Sequence, residues 1–275
     1  MSGTGPPLTD LLDDNFNIPA RLGVIGEIHE GEFRLGLHAR PELLHRGALR
    51  ASIIGFLIDV AAGVVLDDDP DAWTLTSDMS VRMLPRPAPA YVSTRTTILR
   101  RGRRSAVATV DIVTDGGEQV ATGAIGFARV QRRSTDPVKP PASPERMAKM
   151  FDGSRTLDRP LREEAGIMVL DAATGALEMQ VTPELRNPAG TLQGAMVALF
   201  AEAAAEELAA ARFGIPAVVT ELDLRYLAQT GAGPVRSTCT VLGDDVTAPL
   251  RVELRDVSTD RLTTLVYARA TTLQA

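Results

Sequence analysis

Gly47-Ala-Leu-Arg-Ala-Ser-Ile-Ile-Gly-Phe-Leu-Ile-Asp59 aligns without a gap on Gly190-Thr-Leu-Gln-Gly-Ala-Met-Val-Ala-Leu-Phe-Ala-Glu202, and this alignment decides the fold. The offset is 190 − 47 = 143 residues. The same offset lays Gly23 on Gly166, Asp78 on Glu221, and Ser80-Val-Arg-Met-Leu84 on Asp223-Leu-Arg-Tyr-Leu227. A period kept over so much of the chain marks an internal repeat in which each copy is one structural unit. Between the copies, Asp136-Pro-Val-Lys-Pro-Pro-Ala-Ser-Pro144 has the composition of a semi-extended linker. The expected division is a first unit over 1–130, a linker over 131–155 and a second unit over 156–275.

Each copy carries the same order of patterns. Alternating strands with a reverse turn come first, Val24 to Leu37 and Ile167 to Val181. Ala51 to Leu66 and Ala195 to Arg212 follow; they are too long and too apolar or Ala-rich for strands, and they predict helices. Turn formers end both, Asp67-Asp-Asp-Pro70 and Gly214-Ile-Pro216. Further strands are predicted over Thr74–Met83, Ala90–Arg100, Ala106–Val113 and Gln119–Val130, then over Val218–Tyr226, Val235–Leu242, Leu250–Val257 and Leu262–Thr271. One apolar helix and a mostly antiparallel sheet make an α+β unit whose sheet covers its helix.

Composition narrows the function classes. With 44% apolar and 23% charged residues the chain reads as a folded soluble protein. The longest apolar run, Ala51 to Leu66, is broken by Asp59 and falls short of the roughly 20 residues of a bilayer span. Met-Ser-Gly-Thr-Gly-Pro-Pro at the start has neither a basic nor an apolar stretch, so a cytoplasmic location is expected. The single Cys239 cannot build a disulfide or a cysteine metal site, and three His make a catalytic zinc unexpected. A net charge of −6 argues against nucleic acid, leaving a small molecule as the expected partner.

The residues around the second helix start resemble the hot-dog thioesterases of the 4-hydroxybenzoyl-CoA and phenylacetyl-pathway group. That group's motif reads Asn/Gln-x-x-Gly-x-x-His-Gly-Gly, with Asp or Glu nine residues after the His. Here Asn187-Pro-Ala-Gly190-Thr-Leu-Gln193-Gly194-Ala195 precedes Glu202, so Gln replaces His and Ala the last Gly. The first copy keeps Gly47, Arg50, Ala51 and Asp59 at matching places but lacks His-Gly. At the Asn position it offers Leu44 without a gap. If Pro41-Glu-Leu43 is laid on Pro183-Glu-Leu185, it offers His45 instead. The resemblance implies two tandem hot-dog units, each a long central helix wrapped by an antiparallel sheet, paired as a pseudo-dimer. It also implies an acyl-CoA or other acyl thioester as substrate, no cofactor, and self-association through sheet surfaces.

Thioester hydrolysis needs donors that polarise the carbonyl and a carboxylate that delivers water or attacks directly. The Gly194 N–H, at the positive end of its helix, suits the developing oxyanion. Nine residues at 1.5 Å rise put an acid about 13 Å from the start of its own helix, so one copy cannot complete a site. Antiparallel helices across a pseudo-two-fold axis would give two composite sites. The first joins Asp59 with Asn187, Gln193 and Gly194; the second, degraded, joins Glu202 with His45, Arg50 and Ala51.

Each assignment has a plainer alternative. Asp59 could be a structural acid bonded to the opposite helix, Asn187-Pro188 a turn, and Gln193 a helix cap. Glu202 could belong to a solvated acidic stripe with Glu206 and Glu207, His45 could be a polar loop residue, and Arg50 could pair with Glu202 and close its site. Arg100, Arg101, Arg103 and Arg104 read either as a solvated hairpin tip or as a cradle for coenzyme A phosphates. Two rival functions stand beside an acyl-CoA thioesterase for aromatic or medium-chain substrates. One is a non-catalytic acyl-CoA-binding or regulatory module. The other is a hot-dog hydratase or dehydratase, which would need Asp and His together on a helix, and neither helix carries His.

Overall fold

The structure, a computed structural model, describes residues 17–136, 139, 143–187, 189–214, 216–245 and 248–273. The N-terminal Met1 to Pro7, parts of the Pro-rich linker, Pro188 and Ile215 lie outside these residues. The first repeat runs β1 (Val24–His29), β2 (Glu32–His38), α1 (Ala51–Leu66), β3 (Ala72–Met83), β4 (Tyr91–Arg101), β5 (Ser105–Val113) and β6 (Gln119–Gln131). After the short helices α2 (Pro144–Met150) and α3 (Leu161–Glu164) the order returns. It runs β7 (Met168–Asp171), β8 (Ala176–Met179), α4 (Gly194–Phe213), β9 (Ala217–Tyr226), β10 (Val235–Val241), β11 (Leu250–Asp256) and β12 (Arg261–Thr272).

The twelve strands form one antiparallel sheet in the order β1-β2-β4-β5-β6-β3-β9-β12-β11-β10-β8-β7, so the second half is the first read backwards. The halves meet where β3 pairs with β9. There Ser80 faces Asp223, its own equivalent, while Asp78 faces Arg225 and Arg82 faces Glu221. The pseudo-two-fold axis therefore passes between Ser80 and Asp223, and each sheet half curls around its own helix. The expected tandem hot-dog architecture is what the chain adopts.

The helices explain why the sheet must wrap. α1 is apolar on nearly every side, from Ile53 and Ile54 to Leu57 and Ile58, and such a helix is stable only when buried all round. α4 carries alanines at Ala195, Ala198, Ala201, Ala203, Ala204 and Ala205, all buried, which favours helix and lets neighbours approach closely. It stops at Gly214, whose φ of +66° closes the last turn through its N–H on the Ala210 carbonyl. No helix among the described residues is long and apolar enough to cross a membrane.

The connector differs from a semi-extended linker. Ser143 caps α2 by accepting the Arg146 N–H at 3.2 Å, and Pro144 starts the helix, where its missing N–H costs nothing. Beyond it, the Phe151 carbonyl accepts the Gly26 N–H at 2.6 Å and the Gly153 N–H donates to Val24 at 3.0 Å, tying the segment to β1. Glycine is required at position 26, because a Cβ there would lie 2.7 Å from Ala148 Cα.

Candidate active site

Asp59 lies past the middle of α1, and its carboxylate reaches the start of α4. The Thr76 hydroxyl of β3 donates to Oδ1 at 2.6 Å. A methyl group placed on Gly194 would sit 3.5 Å from Asp59 Oδ2 and 3.5 Å from the Tyr226 phenol oxygen. Tyr226, at the end of β9, donates to the Gly194 carbonyl at 3.0 Å. The acid of one repeat thus meets the helix N-terminus of the other, as the 13 Å argument requires. Protein encloses Asp59 except where it opens on a cavity of about 660 Å³. Burial pushes its pKa up to about 6, against the opposing hydrogen bond from Thr76. Burial, and then the Asp59 charge, also holds the Tyr226 phenol well above its ordinary value.

The loop before α4 is shaped by its own polar side chains. Asn187 Oδ1 accepts the N–H groups of Ala189 and Thr191 at 3.0 and 3.1 Å and the Thr191 hydroxyl at 3.2 Å, which makes it the organiser of a turn. Gln193 Oε1 accepts the N–H groups of Ala195 and Met196 at 2.6 and 3.2 Å, which caps the helix. Among the described residues no acceptor meets the Gly194 N–H, the first of the helix. Asn187, Gln193 and Gly194 all line the cavity beside Asp59.

The equivalent position in the other half is filled. Glu202 accepts the Ala51 N–H at 2.7 Å, the Ser52 N–H at 3.2 Å and the Ser52 hydroxyl at 2.5 Å, so its carboxylate occupies the start of α1. Arg50 lies 3.8 Å from Glu202, but its closer partner is Glu206, at 3.0 and 3.3 Å. His45 Nε2 stands 3.6 Å from Glu206. Glu202, Glu206 and Arg50 are buried, so these acids do not form a solvated stripe. Burial, and then Glu206, raises the Glu202 pKa; burial, and then Arg50, lowers that of His45 to about 4. The histidine is therefore neutral at pH 7.

The two loops correspond through the backbone. Pro41–Leu43 and Pro183–Leu185 form the same 3₁₀ turn. The Arg50 N–H reaches Leu43 as the Gln193 N–H reaches Leu185, and Leu44 pairs with Leu49 as Arg186 pairs with Leu192. The missing residue falls inside the first loop, which sets His45, and not Leu44, opposite Asn187.

None of Arg100, Arg101, Arg103 and Arg104 lines the cavity. Arg101 is committed to the Asp68 carboxylate and the Val65 carbonyl; the other three are exposed at the hairpin tip. No local pattern distinguishes Thr76, one of several β-branched residues in a strand, and Glu206 stands one helical turn from Glu202 with no motif to mark it. The connector's part was also missed: Lys139, bonded to Asp67 at 2.5 Å, and Met147 and Met150 of α2 all line the cavity.

No family model and no curated protein matches this sequence. Solved structures do. An acyl-ACP thioesterase from Bacteroides thetaiotaomicron is similar over 86% of this chain and 97% of its own, with a TM-score of 0.59 and 12% identity. The tesB protein of Mycobacterium avium subs paratuberculosis is similar over 96% and 98%, with a TM-score of 0.58 and 15% identity. A conserved protein of unknown function with hot dog fold from Alicyclobacillus acidocaldarius is similar over 94% and 98%, at 0.61 and 15%. The chain has the double hot-dog fold.

Proposed function

We propose that the chain is an acyl thioester hydrolase with one working site, where Asp59 of the first repeat meets the N-terminus of α4 in the second. One observation carries this reading. Of two equivalent helix starts, that of α1 is occupied by Glu202, whereas Gly194, whose N–H meets no acceptor among the described residues, lines a cavity beside a carboxylate with its pKa raised to about 6. Thioesterases among the structural neighbours support the reaction class.

In this reading the thioester carbonyl oxygen accepts the Gly194 N–H. Asp59, oriented by Thr76, takes a proton from water as the water oxygen bonds to the carbonyl carbon. The tetrahedral oxyanion is stabilised by the Gly194 N–H and the helix dipole. It collapses by breaking the carbon–sulfur bond, and the leaving thiolate takes the proton from Asp59. A carboxylic acid and a thiol result. A base with pKa near 6 is ionised at neutral pH yet still accepts a proton in the transition state. Asn187 and Gln193 act by holding the loop and the first turn.

The same proposal covers acyl-CoA as substrate, cytoplasmic action without metal or redox cofactor, and units over 1–130 and 156–275 joined by 131–155. It extends to self-association through sheet surfaces, supported by exposed Met168, Val169 and Leu170 on the edge strand β7. The test is release of free thiol from acyl-CoA substrates by wild type and Asp59→Asn. Thiol release lost in the variant supports the hydrolase. Binding of acyl-CoA with no turnover by wild type would reject it in favour of a binding module.

A further inference from the structure

The cavity has a direction. Asp59, Val60, Gly63 and Val64 share one face of α1, Asp67 directly follows its last residue, and all line the cavity, so it follows the helix away from the reacting position. Eight residues at 1.5 Å rise make this arm about 12 Å long. Trp73, Leu75, Phe127 and Val130 of the sheet and Met147 and Met150 of α2 add apolar wall, with Arg146 of α2 beside them. At its far end stands the Asp67–Lys139 ion pair, with Lys139 also bonded to the carbonyls of Asp69 and Ala72. The other arm runs past the second repeat's loops, where the polar Asn187, Thr191, Gln193, Gln229 and Thr230 alternate with Ala189, Leu192, Leu227 and Ala228.

We propose that the acyl chain lies along α1, that the connector closes its end, and that Gly63 is the residue whose lack of a side chain admits a medium-length chain. This rests on the hydrolase reading and adds the substrate class. Three bonds of an extended chain span at most about 3.5 Å, so 12 Å from Asp59 accommodates about ten bonds. The site therefore takes saturated acyl groups of about eight to ten carbons, with the thiol carrier leaving over the loops of the second repeat. Gly63 stands four residues, about 6 Å, along that path. A Cβ there would meet only the Phe127 ring, at 3.9 Å, so a longer side chain would grow into the arm.

The test compares butyryl-, benzoyl-, decanoyl- and hexadecanoyl-CoA hydrolysis by wild type, Gly63→Leu and Met150→Ala. Leucine is the better helix former, so the first variant is expected to fold. Wild type should prefer decanoyl-CoA over the other three. Excluding even one methylene is worth 10-fold or more, so Gly63→Leu should lose at least about 10²-fold on decanoyl-CoA while butyryl-CoA stays within about 3-fold. Met150→Ala should move the optimum to longer chains. Equal losses at every length would overturn the proposal, because the arm would then hold the thiol side. A preference for benzoyl-CoA would also overturn it. If wild type hydrolyses none of the four, the hydrolase reading fails separately, and calorimetry with decanoate decides the arm. Binding to wild type and not to Gly63→Leu supports it, and binding to neither, or to both alike, rejects it.

Discussion

Arg21 and Glu164 occupy the same position in the two repeats, 143 residues apart, and form an ion pair with each other. Only residues at the pseudo-two-fold axis can meet their own equivalents, and two identical subunits would bring like residues together there. Burial works against the charge on Glu164, yet the Arg21 guanidinium holds its carboxyl below the usual range. Reversal to Arg21→Glu should lower stability by about 1–2 kcal/mol, because it sets two partly buried carboxylates together. The exchange Arg21→Glu with Glu164→Arg should recover most of that. A urea-unfolding double-mutant cycle measures the coupling, and strict additivity would mean the pair contributes nothing.

The two acids at equivalent helix positions should behave differently. Asp59→Asn should lower turnover by about 10²-fold or more, the size of a general-base contribution. Glu202→Gln should change turnover far less, since its carboxylate is engaged in capping α1. Asn187→Ala should fall between, acting through the turn it organises. Steady-state kinetics on one acyl-CoA decides this, and equal losses from Asp59 and Glu202 would mean two working sites.

Turnover should follow an ionisation near pH 6, rising as Asp59 loses its proton. The same group sets a stability difference. Its folded pKa, about 6, lies above the ordinary 3.8, so between these values the folded state holds a proton that the unfolded state has released. Stability from Asp59 is therefore present below about pH 4 and lost as pH rises through about 6. Asp59→Asn should match wild type in acid and exceed it by about 3 kcal/mol at pH 7, at 1.36 kcal/mol per pH unit. Thermal unfolding from pH 4 to 7 checks the sign, and a gap that narrows with pH would reverse it.

The charge network of the filled position should be a large single contribution to stability. Arg50→Ala would leave Glu202 and Glu206 buried with their shared cation gone, a loss of about 3–5 kcal/mol. Replacing Arg50, Glu202 and Glu206 together by apolar residues should be far milder than Arg50→Ala alone. Chemical denaturation distinguishes the cases, and a mild Arg50→Ala would show that water reaches the pair.

Much of this fold is written in local pattern. The predicted helix Ala51–Leu66 matches α1 at both ends, and the strand readings fall within two residues of β3 to β6 and β9 to β12. Burial on one face leaves a period of two, and burial all round leaves an unbroken apolar run, so both survive in sequence. The meeting of Asp59 with the start of α4 was legible because nine residues of rise separate each acid from the start of its own helix. Tyr226 and Thr76 were not, since their roles depend on strands brought together by the β3–β9 junction. Lys139, Met147 and Met150 were hidden for another reason: a Pro-rich composition describes a segment's stiffness and says nothing of what it packs against.

Glu202 bonded to Ala51 and Ser52 is a freedom that only a fused chain has. In a homodimer one codon writes both copies of a position, so whatever suits one copy is imposed on its twin. Here equivalent positions are written separately, as Asp59 and as Glu202, and the two can be selected separately. One copy can keep a single hydroxyl partner and face a cavity, while the other caps the opposite helix. A symmetric pair written in one chain is in this sense free to be unlike itself, with one helix start left open and the other closed.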